Sequence, residues 1–396
     1  MNDATRQREQ LLEQLVAAGR LRSPAWIAAF RNVPRHQFVR RFFRQTEDLS
    51  GWLPVDATDP DAISLLYRDT SWVTQLDHEP ARWERARSTG EPARGTPTSS
   101  STAPGLLAVM LEALDVQDGH RVLQIGTGSG YTAALLCERL GSDQVTTVEV
   151  DPVVADAAST ALREVGYAPT IVVGDGTVGA AIEDGYDRLI ATCSVPDLPA
   201  AWLRHTRPGG AILTSLHRDL GGGTLVRLWV DGGGGAEGRF LPTYGSFMPI
   251  RTAPVVDPAA RLAAALATYP AAAPARATRI PPEALDSNDF GMVAALQLPG
   301  VASIGFDPAT GPQRWLLADD GSWACVDESA GTVSQSGARR LWDEVEDIHE
   351  QWVRRGRPIR ERLGLTVTSQ GEHRFWVDGQ RTPWWTSKPT AAGSTG

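Results

Sequence analysis

The chain of 396 residues has only three cysteines, Cys137, Cys193 and Cys325. Their spacing fits no metal-ligand pattern and their number no disulfide framework. That excludes a cysteine-stapled fold and leaves them as small buried hydrophobes. Seven histidines are scattered, no two at metal-binding spacing, so no metal site is expected. No apolar run reaches the ~20 residues needed to cross a bilayer. The polar N-terminus MNDATRQREQ lacks a signal-peptide core. A soluble, cytoplasmic protein without a membrane partner is therefore expected. Positive charge is in the minority: 38 Lys and Arg against 47 Asp and Glu leave a net charge of −9, which argues against a nucleic-acid partner.

What is present is ordinary globular material. Hydrophobic residues make up 42% and charged residues 21%, and the length favours two domains. The first forty residues read as helix, with Leu11, Leu12, Leu15 and Val16 at helical spacing and Ser23-Pro24 as an N-cap and first helical residue before Trp26–Phe30. Residues 46–97 are rich in proline, aspartate and glycine and read as extended loop with short elements. From Ser99 to Ile250 helix and strand alternate. Helices are expected at 106–114, 131–139 and 152–165, and strands at 121–125, 145–150, 170–173 and 186–192. This pattern implies a mostly parallel sheet covered on both faces. The Ala/Pro/Arg-rich stretch 251–283 reads as a helix plus linker that marks the domain boundary, and 284–396 as a smaller α+β domain with one strong helix at 339–354. Thirteen tryptophans are many for this length. Seven recur in the last third: Trp315, Trp323, Trp342, Trp352, Trp376, Trp384 and Trp385. Core packing is one reading of them and an aromatic peptide-binding surface the other.

The strongest chemical signal is VLQIGTGSGYTAALL at 122–136. A hydrophobic strand runs into Gly126-Thr127-Gly128-Ser129-Gly130 and out into a helix. Glycines there let the backbone approach a ligand, and the helix N-terminus adds free N–H donors. Glu149 ends the next strand, with Val150 beside it, where a carboxylate can accept both hydroxyls of a ribose. Asp175-Gly176 follows the third strand and offers an acceptor where an adenine amino group would lie. The three together point to a nucleoside cofactor at the carboxyl ends of a parallel sheet.

VLQIGTGSGY, VTTVEVD, VVGDGTVG, YDRLIATCSV and RPGGAIL resemble, in order, the motifs of protein-L-isoaspartate O-methyltransferases, as do NVPRHQFV (32–39) and YGSFMPI (244–250). The resemblance covers roughly residues 10–250. It implies a Rossmann-like class I fold dependent on S-adenosylmethionine, with 1–250 as the catalytic domain and 284–396 as a substrate-recognition domain. Gly126, Thr127, Gly128, Ser129 and Gly130 would face the methionine and ribose, Glu149 and Val150 the ribose, and Asp175-Gly176 the adenine. An Ile-Ser-Gln-Pro-like segment of the family corresponds to Ser101-Thr102-Ala103-Pro104, so the acceptor-side hydroxyl is expected among Ser99, Ser100, Ser101 and Thr102. An N-cap cluster is the alternative reading of that run. Gln75, Cys193 and Ser194 are candidate substrate contacts, Gln75 equally a residue satisfying loop groups.

VTQLD (73–77), PTSSSTAP (97–104) and GRPIRERLGLTVT resemble more narrowly the methyltransferases found beside ATP-grasp peptide maturases (graspetide systems), with homologues acting on lanthipeptides and lasso peptides. That resemblance implies a ribosomal precursor or macrocyclised peptide as partner, a monomeric enzyme, and methylation of an aspartate on the way to aspartimide or isoaspartate. Two alternatives stand beside it: repair of isoaspartyl residues in proteins, and a non-catalytic cofactor-binding scaffold. The run Arg354, Arg355, Arg357, Arg360, Arg362 reads as a solvated helix end pairing with acids four residues away, or as a dock for an acidic peptide.

Overall fold

The computed structural model describes residues 3–251, 257–269, 274–307, 311–379 and 382–388. They form two compact units. One holds the chain up to Cys193 with 199–214 and 229–234; the other holds 194–198, 215–228 and the chain from Gly235 onward.

The first unit opens with α1 (Asp3–Ala17) and α2 (Pro24–Asn32), the latter capped by Ser23, whose hydroxyl accepts from Trp26 N, with Pro24 starting the helix. After the short α3 (Arg35–Phe38), residues 41–101 build more than the loop that their composition suggests. Strands β1 (Arg41–Gln45), β2 (Trp52–Asp56), β3 (Trp72–Leu76) and β4 (Pro97–Ser101) make an antiparallel sheet in the order β2-β1-β3-β4. Helices α4 (Ala62–Leu66) and α5 (Ala81–Thr89) interrupt it. Phe43, Leu76 and Trp83 form a small core beneath it.

The alternating region follows the expected pattern closely. Helix α6 (Pro104–Leu114) leads to β5 (Val122–Ile125), α7 (Tyr131–Leu140), β6 (Val145–Glu149), α8 (Pro152–Val165), β7 (Thr170–Val173) and β8 (Tyr186–Val195). Then come α9 (Ala200–His205) and β9 (Thr206–Leu216), in the order β9-β8-β5-β6-β7. Strand β5 pairs in parallel with both β6 and β8, and β6 with β7. Their carboxyl ends therefore share one edge. Helix α8 starts where Asp151 accepts from Val153 N and Val154 N and Pro152 takes the first position. This is a Rossmann-like class I methyltransferase fold.

The second unit holds residues 225–228 of β10 (Leu225–Val230) and all of β11 (Ala236–Phe240). Helix α10 (Pro258–Thr268) is the helical part of the stretch 251–283 that reads as helix plus linker. It is no tether: Ala265 is buried with Trp315, Leu317, Trp323 and Cys325. The sequence boundary at 251 also differs from the division by contacts, because residues 194–198 and 215–228 join the C-terminal unit. A five-stranded antiparallel sheet follows: β12 (Arg276–Ala277), then after α11 (Phe290–Gln297), β13 (Ala302–Phe306), β14 (Gln313–Leu317), β15 (Trp323–Asp327) and β16 (Thr332–Ser336). Helix α12 (Leu341–Arg354) is amphipathic, burying Leu341, Trp342, Val345 and Ile348. Strands β17 (Leu363–Val367), β18 (His373–Val377) and β19 (Trp385–Ser387) pair antiparallel, and β17 pairs with β11.

Two sequence readings of this unit are corrected by burial. Trp315, Trp323 and Trp342 are almost wholly buried and Trp376 nearly so, which makes them core rather than a peptide-binding face. The arginine run divides: Arg354, Arg355 and Arg357 are exposed at the helix end, while Arg360 and Arg362 are engaged within the fold. Arg360 is buried and donates to the carbonyls of Gly223 and Asn288, Arg362 pairs with Asp378, and only Arg354 makes the expected pair four residues back, with Glu350. Asp343, Glu346 and Asp347 of α12 bind Arg276 and Arg279, which converge on the buried Glu346, and Glu344 pairs with Arg339.

That knot gives a pH prediction. Burial opposes ionisation of Asp343 and Glu346, but hydrogen bonds from Arg276, and for Glu346 also from Arg279, more than offset it and hold both carboxyls below their ordinary range. A carboxyl depressed in the folded state contributes stability that is present above its unfolded value, roughly pH 4, and lost as pH falls through the folded value. Glu346→Gln is therefore expected to flatten the acid limb of a urea-melt series between about pH 5 and pH 3. An acid limb unchanged from the parent protein contradicts the assignment.

Candidate cofactor and acceptor site

The shared carboxyl edge of the first unit gathers most of the residues singled out from sequence. Gly126, Gly128 and Gly130 all have positive φ, the region that side-chain-bearing residues avoid. A Cβ on Gly126 would lie 3.1 Å from Thr192 Oγ1, and one on Gly130 would press on Ala158 and Leu162 of α8. The loop is thus tight on its protein side. Thr127 is buried and shares a hydrogen bond with Thr147 of β6 at 2.7 Å, while Ser129 is half-buried at the turn.

Glu149 is 7% exposed, and both carboxylate oxygens are anchored by backbone. Gly128 N donates to Oε2 at 2.9 Å and Asp151 N to Oε1 at 3.1 Å. Each oxygen has two lone pairs, so one per oxygen remains for an external donor pair such as a diol. Val150, next in sequence, is more than a third exposed. Asp175 accepts from Thr177 N at 2.8 Å in a tight turn, and the buried Gly176 offers its carbonyl to Trp202 Nε1 at 2.8 Å. A positive-φ glycine loop, a buried anchored carboxylate and a second acidic turn along one sheet edge fit a nucleoside with a short zwitterionic tail.

The serine run is not a helix cap. Ser99, Ser100 and Ser101 end strand β4 and Thr102 follows it, and the alternation of the chain divides the hydroxyls. Ser99 and Ser101 are buried, Ser99 Oγ accepting from Thr74 at 3.0 Å, whereas Ser100 and Thr102 keep accessible surface. Residues far away in sequence cap α6 instead: Ser71 Oγ accepts from Ala103 N at 3.0 Å and Asp69 from Gly105 N at 2.6 Å. The Ser100 carbonyl lies 3.5 Å from the point where a Cβ on Gly128 would sit, so the strand borders the glycine loop.

Gln75 does not face outward. It is buried, accepts from Thr98 Oγ1 and donates to Asp151 Oδ2, both at 2.9 Å. The Cys193 thiol is pushed up to about 12 by burial, with the Glu149 carboxylate adding to the effect, so it stays protonated. Ser194, in the second unit, donates to Phe247 O at 2.9 Å and lies 3.3 Å from His217 Nδ1. It ties the YGSFMPI segment down.

Sequence reasoning missed Arg35. It is wholly buried and donates to the carbonyls of Leu66 (2.7 Å), Thr70 (3.0 Å), Arg68 (3.2 Å), Thr102 (3.2 Å) and Ser101 (3.5 Å). Burial lowers its guanidinium to about 10, which leaves it charged at neutral pH. It clamps the end of the hydroxyl strand. The only sequence signal was its place in NVPRHQFV. His36 beside it hydrogen-bonds Tyr67 at 2.8 Å.

A family model described as protein-L-isoaspartate(D-aspartate) O-methyltransferase matches residues 83–221. The chain is 34% identical over 211 residues to the protein-L-isoaspartate O-methyltransferase of Methanopyrus kandleri, which covers 52% of this chain and 76% of that protein. It is 31% identical to the Hyperthermus butylicus enzyme of the same name, over 52% of this chain and 73% of that one. A solved structure titled protein-L-isoaspartate O-methyltransferase matches 93% of this chain and 99% of its own at a TM-score of 0.52, with 20% identity, which bears on fold alone. The fold, its cofactor edge and these matches agree, and the chain belongs to the protein-L-isoaspartate O-methyltransferase family of S-adenosylmethionine-dependent enzymes.

Proposed function

We propose that this enzyme methylates the carboxylate of an isoaspartyl residue in a peptide or protein, using the hydroxyls at the end of β4 to orient the acceptor. The observation that carries the reading is an accessible pair of hydroxyls, Ser100 on β4 and Thr102 just past its end, with the Ser100 carbonyl bordering the loop Gly126–Gly130. The relatives' names supply the substrate class.

When bound, S-adenosylmethionine supplies a methyl group on a positively charged sulfur. A carboxylate is ionised at neutral pH, so the acceptor needs no general base. Its oxygen forms the new C–O bond while the C–S pair returns to sulfur. The protein's part is alignment and exclusion of water. Gly126, Thr127, Gly128, Ser129 and Gly130 shape the wall for the methionine end, Glu149 with Val150 holds the ribose, and Asp175-Gly176 meets the adenine. Ser100 and Thr102 donate to one acceptor oxygen, and Ser99 and Ser101 pack the strand. The resulting ester loses methanol when the neighbouring amide nitrogen attacks, closing a succinimide.

A second reading, methylation of a normal aspartate in a macrocyclised ribosomal peptide, is favoured by one feature of this chain. Its serine strand runs into Thr102-Ala103-Pro104 where the family has an Ile-Ser-Gln-Pro-like segment. The extension beyond 251 no longer separates the two readings, since the solved isoaspartate enzyme matches nearly the full chain. Mass spectrometry of an isoaspartyl peptide, its aspartyl counterpart and a macrocyclic aspartyl peptide decides between them. Preferential methylation of the first is expected, and preference for the macrocycle establishes the tailoring reading. Thr102→Ala should lower turnover about tenfold or more with cofactor affinity held, as for an interaction made in the transition state. Normal turnover in both Ser100→Ala and Thr102→Ala removes the hydroxyls from the chemistry.

A further inference from the structure

One hydrogen-bonded chain joins the hydroxyl strand to the cofactor carboxylate, and each link is of a definite polarity. Thr98 Oγ1 on β4 donates to Gln75 Oε1, and Gln75 Nε2 donates to Asp151 Oδ2, both at 2.9 Å. Asp151 N donates to Glu149 Oε1 at 3.1 Å, and Glu149 Oε2 takes Gly128 N at 2.9 Å. The other oxygen of Asp151 is committed to the start of α8, where Val153 N (2.9 Å) and Val154 N (3.3 Å) donate to it. Gln75 and Asp151 are both under a tenth exposed. Only a side chain that accepts at one end and donates at the other satisfies both neighbours of Gln75, and a carboxylate there would oppose Asp151.

We infer that Gln75 is a positioning residue through which occupancy of the nucleoside site at Glu149 orders strand β4 for the acceptor. The free protein holds Glu149 by two backbone donors alone. A ribose diol on its remaining lone pairs fixes that carboxylate, and with it the Asp151 backbone, the Gln75 amide and the β3–β4 pair. The register of β3 on β4 shifts at this point, between Val73 and Gln75 and again before Leu76. The ladder is therefore irregular where the Gln75 side chain reaches across, and local opening should be easiest there. The gain is ordered addition: the hydroxyls reach their working positions after the methyl donor is in place. The inference rests on the placement of the ribose at Glu149 proposed above.

The test follows backbone amide exchange of residues 97–101 with and without S-adenosylhomocysteine, and needs no acceptor peptide. In the parent protein the ligand should slow exchange across that strand at least fivefold. Gln75→Met should bind the ligand within about threefold of the parent affinity yet lose most of this protection. Gln75→Glu should lose it too, and Gln75→Glu combined with Asp151→Asn should restore it, because the donor and acceptor are then exchanged while Thr98 and the helix cap stay satisfied. The paired variant also covers the case in which either single variant folds poorly. Full protection in Gln75→Met, or none in the parent protein, overturns the coupling. Glu149→Ala that binds the ligand normally overturns the ribose placement instead, so the two failures are distinct.

Discussion

Glu149→Ala is expected to weaken S-adenosylhomocysteine binding roughly ten- to a hundredfold in calorimetry, the equivalent of losing a buried charge-assisted hydrogen bond of about 1.5–3 kcal/mol. Two effects add. The carboxylate is lost as acceptor for the ligand, and Gly128 N and Asp151 N lose the partner that holds them. The second effect reaches the glycine loop, where the Gly128 N–H donates to this carboxylate. Glu149→Gln separates the two. Its amide oxygen can serve one backbone donor while its NH2 group faces the other, so affinity should fall by less than in the alanine variant but remain below the parent. Neither change should give measurable NAD binding, because a second nucleotide motif is absent from the sequence. An affinity unaltered by Glu149→Ala removes this residue from the site.

The cofactor edge was legible because its signals are local. A short strand with three apolar residues of four, glycines at a turn, and Asp-Pro opening a helix each act within a few residues, and β7 and α8 fall where the periodicity predicts them. The acceptor side was not legible for the opposite reason. RFFRQ, WLPVD, WVTQL and PTSSS have weak alternation, and serine has little strand preference of its own. Strands β1 and β2 pair with each other across a short connection, but β3 and β4 become strands through partners tens of residues away, as when Trp72 pairs with Ser101. The tryptophans were ambiguous for another reason: composition records their number, and only packing shows that Trp315 and Trp323 lie against Ala265 of α10. Charge patterning failed similarly at 354–362, since carbonyl partners for Arg360 leave no mark in a sequence.

The largest stability effect is expected at Arg35, the clearest case of a residue whose role exists only in three dimensions. Its nearest carboxylate, Asp69, acts on it at a distance rather than as a bonded partner, so the charge is met almost wholly by five carbonyls. Those carbonyls belong to segments 66–70 and 101–102, which no regular ladder joins at this point. Arg35→Ala leaves them unsatisfied and opens a void, at a cost of about 3–5 kcal/mol, and the denaturant midpoint should fall with the slope unchanged. Arg35→Met fills the void and removes the buried charge. Where a buried ion is itself the net burden, such a change stabilises; here the carbonyls outnumber the charge, and the methionine variant should stay well below the parent. Arg35→Lys has three donors on one point rather than a planar fork, and cannot span carbonyls on two segments. It should recover less than half of the loss. Turnover should fall in all three at temperatures where the fold persists, since Ser101 and Thr102 lose their anchor. A loss below about 1 kcal/mol in Arg35→Ala would mean that water reaches these carbonyls and that the clamp is not what fixes the strand.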